Sequence, residues 1–498
     1  MTTIGRDTRA HSPTEAALPG LLVQPGMWDE LIAEDGRPRP AAAALVSHLS
    51  GMGLTELRER QDRADLDILA AGITFTVYSD GRGIDRSWPF DVIPRIIAAA
   101  EWRRVRRGLI QRLTALNRFI DDLYGEQRVI ADGVFPAELL ANSVNYLPQC
   151  RGVRPRFGVW AHICGSDLVR DADGTLYVLE DNLRIPSGVS YMLENRLVSK
   201  RVFGDLFRRQ SILPVDDYPE RLHRILCSLA PEGVSAPNVV VLTPGVYNSA
   251  YFEHSFLARR MGVPLVEGRD LVVDEHDRVF MRTLGGRERV DVVYRRVDDA
   301  FLDPEVFRPD SVLGVPGIMR AWRAGNVAIA NAPGAGVADD KAVYAWVPDL
   351  IRYYLHEEPA IASVPTWRCL YPAERRHVIE NIDRMVVKPA NESGGYGLLI
   401  GDRATQEELD AAVAAIEADP RNWVAQPILS LSTTPTLTTD DIAPRHVDLR
   451  PFILSGDGHD VTNGGLTRVA LRPGSLIVNS SQGGGSKDTW VVERTALG

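Results

Sequence analysis

The sequence predicts a mixed α/β fold divided into about three lobes, because 498 residues are too many for a single hydrophobic core. Two further observations carry that expectation. Strand, loop and helix patterns alternate in two separate stretches, Val239–Glu267 and Met385–Leu429, as they do in α/β lobes. Between Trp160 and Asn182 two apolar-rich runs bracket an Asp/Gly turn, which reads as a β-hairpin.

The elements follow in order. The first residues are polar, contain Pro13 and Pro19 and lack a signal-peptide core, so 1–25 reads as a flexible N-terminus. The spacing of Leu45, Leu49, Leu54 and Leu57 predicts a helical region from about Met27 to Leu69. Ile73–Tyr78 alternates and runs into a turn at Ser79–Gly83. A long amphipathic helix is expected from Pro94 to about Tyr124. Val239–Gly245, the helical Tyr251–Met261 and Pro264–Glu267 form a β-loop-α-β unit. In the second α/β stretch a helix from Glu407 to Glu417 buries Leu409, Val413 and Ile416 and stops at Asp419-Pro420. Ser430–Thr439, rich in Ser, Thr and Pro, reads as a mobile surface loop.

Composition narrows the function. A hydrophobic content of 45% with 24% charged residues is that of a globular protein. A net charge of −10 argues against a nucleic-acid partner, and Arg103–Arg107 reads as a solvated helix face. The four cysteines, Cys150, Cys164, Cys227 and Cys369, show no metal-ligand spacing and suggest a reduced, cytoplasmic chain. No run approaches a membrane span, so no membrane partner is expected.

Met385–Gly397 carries the first chemistry. An apolar run ends on Lys388, the pattern of a strand delivering one cation at its edge. Ser393, Gly394, Gly395 and Gly397 follow, with backbone N–H groups able to close over phosphate oxygens. This is no Walker A loop, whose lysine follows the glycines. The Trp160–Asn182 hairpin carries the second. With a turn centred on Ala172 and Asp173, Asp167 lies opposite Val178, and Val178, Glu180 and Asn182 share its face. Asp167 and Glu180 are then diagonal neighbours roughly 7–8 Å apart. Two carboxylates and a carboxamide in one patch suit Mg²⁺, a hard cation that completes its shell with phosphates and water. Beyond the hairpin, Arg184 is placed to meet developing negative charge, and Ser187-Gly188 to offer backbone donors. Arg295 and Arg296 are candidates for a substrate carboxylate, Arg468 for the same cleft, and Gln482–Lys487 is a second Gly-rich segment ending on Lys487.

A strand lysine, a Gly loop, a later polar-faced strand and a Glu-x-Asn pair together resemble the ATP-grasp superfamily. Here the acids precede the lysine, the order of the circularly permuted ATP-grasp family, type 2, distantly similar to glutathionylspermidine synthetase. The specific strings are Tyr177–Tyr191, Asn331–Tyr344 and Ser480–Trp490. The resemblance implies that Lys341 reaches the α-phosphate region of ATP and Lys388 lies beneath the nucleotide. It implies that Ser393–Gly397 is the lid over the β- and γ-phosphates. Trp423–Pro427, with Gln426, would be the hinge that reads adenine, and Arg450 would contact the transferred phosphate. Each residue also has an ordinary reading. Lys341 would be a solvated lysine, Gln426 a strand-end polar group, and Arg450 the partner of Asp448. Arg184 would be the partner of Asp181, and Arg295 or Arg296 that of Asp298 or Asp299.

The implied fold has a nucleotide cleft between two lobes plus a Rossmann-like α/β lobe. Its expected divisions are 26–230 with the metal-binding half, 231–335 Rossmann-like, 336–430 nucleotide-binding and 431–498 returning to complete the core. The implied activity is ADP-forming ligation of a small-molecule or peptide carboxylate to an amine, with ATP and Mg²⁺, through an acyl phosphate. A small-molecule kinase and a non-catalytic nucleotide-binding protein are the alternatives. Whether a companion protein presents the substrate stays open.

Overall fold

The computed structural model describes residues 24–79, 82–141, 143–390, 397–476, 478 and 484–493, with backbone alone for 75–79 and 82–85. The flexible N-terminus expected for 1–25 falls almost wholly outside them.

A ten-stranded sheet is the centre of the fold. Its main path runs Ala362–Ser363, Leu176–Asn182, Ile163–Arg170, Ile442–Arg450, Leu466–Val469, Gly485–Val492 and Phe90–Ala98. Phe90–Ala98 lies parallel to Gly485–Val492, so the early and late parts of the chain close one sheet. Phe90–Ala98 corrects part of the expected 94–124 helix. Val92, Ile93, Ile96 and Ile97 are all buried, and β-branched residues covered on both faces favour a strand. The helix begins at Ala99 and runs to Tyr124. The 27–69 region is helical only from Ala43, with a kink where Gly53 takes φ 77°. Pro38 and Pro40 hold the preceding stretch out of a helix.

Ser430–Thr439 is corrected more fully. Thr433–Leu437 is a strand paired with Ile442–Arg450, and Ser432, Thr433, Thr434 and Thr436 are buried. Two of the hydroxyls find partners that local sequence does not reveal. Ser432 Oγ donates to Glu30 Oε1 (2.8 Å) and Thr433 Oγ1 to Asp29 Oδ2 (3.3 Å).

Of the four smaller sheets among the described residues, two have four strands. Ala328–Ala330, Val292–Arg295, Val239–Leu242 and Leu265–Val266 form a wholly parallel sheet, and the Tyr251–Met261 helix ends on Gly262 in the left-handed region. Trp367–Arg368, Trp423–Pro427, Met385–Pro389 and Leu399–Ile400 form an antiparallel sheet. Helix Gln406–Ala418, opened by a Thr405/Glu408 capping box, covers it over a small core that includes Val378, Val387, Ile416 and Ala425. This lysine lobe is tied to the carboxylate hairpin, because Ala362–Ser363 pairs with Tyr177–Val178. Among the described residues no helix is long and apolar enough to cross a membrane.

Candidate active site

The carboxylate hairpin sets its acids by an irregularity in its own ladder. Arg170 pairs with Leu176 and Leu168 with Val178, one residue away from the register expected of a turn on Ala172 and Asp173. Continued unbroken, this register would put Asp167 opposite Leu179. A β-bulge intervenes, and Asp167 pairs with Glu180 and Gly165 with Asn182. Cross-strand partners share a face, so Glu180 and Asn182 accompany Asp167, whereas Val178 joins Leu168 in the core. The expected common face of Val178 and Glu180 is thereby corrected, and the two acids are direct rather than diagonal neighbours. Asp181 is held by Arg112 Nε (2.6 Å) and Ser166 Oγ (2.7 Å), not by Arg184.

Arginines from the returning strands close on Asp167. Arg450 engages it bidentately, with Nη2 2.7 Å from Oδ2, and lies 3.8 Å from Glu180 Oε1. Arg468 Nη2 donates to the same Asp167 Oδ2 (2.7 Å) while its Nε donates to Asp448 (2.9 Å). So Asp448 belongs to Arg468 rather than to Arg450. Burial disfavours a charge on Asp167, but the Arg450 and Arg468 guanidiniums outweigh it and hold the carboxyl well below the usual range. Glu180 moves the other way, raised by burial and then by the Asp167 charge.

The donor set suits magnesium in part. Asp167, Glu180 and Asn182 offer only oxygens to a cation, and Asn182 Nδ2 donates to Gly165 O (3.1 Å), leaving its carbonyl oxygen for a ligand role. Asp167 already accepts three guanidinium N–H groups on about four lone-pair positions. Glu180 and Asn182 therefore fit the ion better than Asp167 does. Among the described residues no group of three or more His, Cys, Asp and Glu stands ready to hold a metal.

The lysines come from farther along the chain, Lys341 from a helix packed in the core that holds Val178 and Lys388 from the separate antiparallel sheet. Lys341 opens a short helix N-capped by Asp340, and its backbone N–H donates to Ala390 O (3.1 Å), just past the strand bearing Lys388. It lines a cavity of about 190 Å³ together with Glu180 and Asn182. Lys388 Nζ donates to Gln426 Oε1 (2.6 Å), and Gln426 Nε2 to Thr366 Oγ1 (3.0 Å), so the Gln426 side chain braces Lys388. Burial lowers Lys388 to about 8, with Glu180, Lys341 and Asp167 also acting on its charge. Both lysines and both carboxylates thus share one electrostatic neighbourhood.

A sequence model of circularly permuted ATP-grasp type 2 matches residues 94–470. The chain belongs to that family. An uncharacterized protein of Synechocystis sp. is 55% identical over 94% of this chain and 97% of its own length. One from Mycobacterium tuberculosis is 49% identical over 98% of this chain and 88% of its own. A Frankia alni protein, named as a candidate glutamate–cysteine ligase, is 45% identical over 95% of this chain but 54% of its own. The chain also resembles the apo structure of a glutathione synthetase-like effector from Globodera pallida. That match has a TM-score of 0.58 and 12% identity, covering 88% of this chain and 97% of the effector, and it speaks for the fold alone.

Several candidates lie elsewhere in this ATP-grasp chain. Arg295 is buried, donating to Asn331 O (2.7 Å) and Val297 O (3.0 Å) and paired with Asp299 (2.9 Å), so the structure does not bring it to the cavity. Arg296 is also buried, donating to Pro186 O (2.8 Å), Ser187 Oγ (2.6 Å) and Glu253 Oε1 (3.1 Å). Glu253 in turn accepts from the N–H groups of Gly188 (2.8 Å) and Ser190 (3.0 Å), so the Gly188 donor is already used. Lys487 is buried on Asp91, Ile93 O (3.1 Å) and Pro435 O (3.0 Å), within the sheet rather than the cleft. Gly397 takes φ 70°, as a glycine turn requires. Ser393, Gly394 and Gly395 lie outside the described residues, as does Gln482.

Two acids in the cavity wall were not read as site residues from sequence, Asp298 being expected only as a partner of Arg295 or Arg296. Arg184 Nη1 lies 3.0 Å from Asp298 Oδ2, and its Nε 3.7 Å from Asp339 Oδ2. Burial raises Asp339 to about 7 against the pull of Arg184, and the Leu183 and Arg184 N–H groups also donate to it. Asp339 sat in plain view, two residues before Lys341, but nothing local separates it from Asp340, which serves as the helix cap.

Proposed function

We propose that this chain is an ATP-dependent, ADP-forming carboxylate–amine ligase. The reading is supported by Lys341 lining one cavity with Glu180, by its N–H bond to Ala390 just past Lys388, and by the Arg450–Asp167 clamp beside Glu180. That assembly matches the demands of phosphoryl transfer, which needs positioning and charge stabilisation rather than an enzyme nucleophile. The Frankia name supports ligation in general, since it belongs to a chain almost twice as long.

In this reading ATP lies between the lysine lobe and the carboxylate hairpin, its phosphates toward Lys341 and Lys388 and its transferred end toward Arg450. Mg²⁺, held by Glu180 and Asn182 with Asp167 behind, would offset phosphate charge when bound. Arg450 and Arg468 fix the geometry, and Arg450 turns from Asp167 toward the transferred oxygens. A substrate carboxylate oxygen bonds to the γ-phosphorus as the bond to ADP breaks. The amine then bonds to the acyl carbon, phosphate leaves, and the ammonium proton is lost. Arg450, beside Asp167 and Glu180, is the group assigned to the developing charge. Gln426 braces Lys388, and Ser187 holds the turn between Arg296 and Arg450.

Oxygen-18 placed in the substrate carboxylate tests the mechanism, with label expected in released phosphate. A stable phosphorylated product and unlabelled phosphate would favour a kinase instead. Glu180→Gln should cut ADP formation by at least about 100-fold. Its fold should persist, because the change relieves two facing carboxylates. Unchanged turnover in that variant would remove Glu180 from the site.

A further inference from the structure

Three lining residues of the cavity, Arg184, Asp298 and Asp339, carry an unusual charge pattern. Arg184 stands between Asp298 of the parallel-sheet lobe and Asp339 of the loop that leads to Lys341. Its aliphatic stem crosses Gly336, where a Cβ would come within 3.0 Å of Arg184 Cδ, so the guanidinium is held in place by packing as well as charge. All three charged groups remain open to the cavity, with side-chain exposures of 32%, 35% and 20% for Arg184, Asp298 and Asp339. Asn145, Ile185 and Ala390 also line the 190 Å³ space, whose lining residues are mostly polar and which is sized for a small organic ion.

One cation flanked by two anions discriminates sharply between ligands. A phosphate or dicarboxylate would meet Asp298 and Asp339 as like charges. A polyamine would leave Arg184 facing another cation. A zwitterion suits every group. We infer that this wall is the binding site for a free α-amino acid, with its carboxylate on Arg184 and its ammonium on Asp298 and Asp339. Entry replaces the 3.0 Å Arg184–Asp298 pair with two charge-assisted contacts to the ligand. Binding of the amino acid stands on this wall alone. Its role as the amine that is joined rests on the ligase reading above.

Calorimetric titration with the free L-α-amino acids, with and without MgATP, tests the site. The controls are the N-acetyl and amide forms of each binder, and spermidine. At least one free amino acid should bind, and blocking either end should weaken it by about tenfold or more, as loss of one charge-assisted contact implies. Asp298→Asn should weaken it similarly while keeping the fold, because asparagine can replace the Asp298 cap on Ala300 N–H. Arg184→Met should remove carboxylate recognition, so that the free acid and its amide bind alike. No binding of any free amino acid, spermidine binding as tightly, or an unaffected Asp298→Asn variant would overturn the site. Amino-acid binding without any MgATP binding or turnover would instead remove the ligase reading and leave the site standing. ADP formation with a carboxylate and a polyamine, without amino-acid binding, would do the reverse.

Discussion

Lys388 and Lys487 are both strand lysines taken into the protein, each beside a Gly-rich stretch, yet they do opposite work. Lys487 spends its donors on Asp91 and two backbone carbonyls, so nothing is left for a ligand. Lys388 makes a hydrogen bond to the neutral Gln426 side chain, and the nearest opposite charges are the hairpin acids across the cleft. One lysine closes a sheet, and the other is the one we propose for an anion. A buried lysine is informative only once its partners are known.

The largest effect expected from this contrast is on folding. Lys487→Met leaves Asp91 buried without its cation and should cost about 3–5 kcal/mol of stability in chemical denaturation. A loss below about 1 kcal/mol, the range of a surface pair, would show that Asp91 finds another partner. Lys388→Met should leave stability nearly unchanged or slightly higher, since a desolvated charge is removed. It should weaken ATP binding by about 10- to 100-fold, or 1.4–2.8 kcal/mol, measured by calorimetry. Equal affinity in variant and parent would break the contrast.

The smallest expected effect is a slope with pH. The folded Lys388 pKa of about 8 lies below its ordinary 10.5, so the unfolded chain holds the proton more tightly across that interval. The penalty for charging Lys388 is therefore full below pH 8 and fades as pH rises toward 10.5, which adds stability over that window. Relative to Lys388→Met, the parent should gain stability between pH 8 and 10. ATP affinity should fall over the same range as Lys388 loses its charge. Parallel stability curves for parent and variant would mean that Lys388 titrates normally.

Periodicity and local turn chemistry made much of this molecule legible. The Trp160–Asn182 hairpin, the strand ending on Lys388, the β-loop-α-β unit at Val239–Glu267 and the helix near Glu407–Glu417 all follow from patterns spanning a few residues. The pairing of acids before lysines also pointed to a permuted ATP-grasp order. Local pattern failed where two readings had similar short-range merit. Pro94–Ala98 looked like a helix start until sheet burial on both faces made it a strand. Thr433–Leu437 looked like a loop until Asp29 and Glu30 supplied partners for neighbouring hydroxyls.

What the sequence determined by itself was the inventory: two candidate lysines, a Glu-x-Asn strand, and arginines at strand ends. Only the tertiary structure decided the assignments. The β-bulge set Asp167 against Glu180, Asp167 rather than Asp448 took Arg450, and Asp91 took Lys487 out of consideration. The physical reason is range. A periodic face is set by neighbours two to four positions away. An ion pair is chosen by burial and distance among groups that the chain brings together from hundreds of residues apart, and no local pattern encodes which of several carboxylates an arginine will meet.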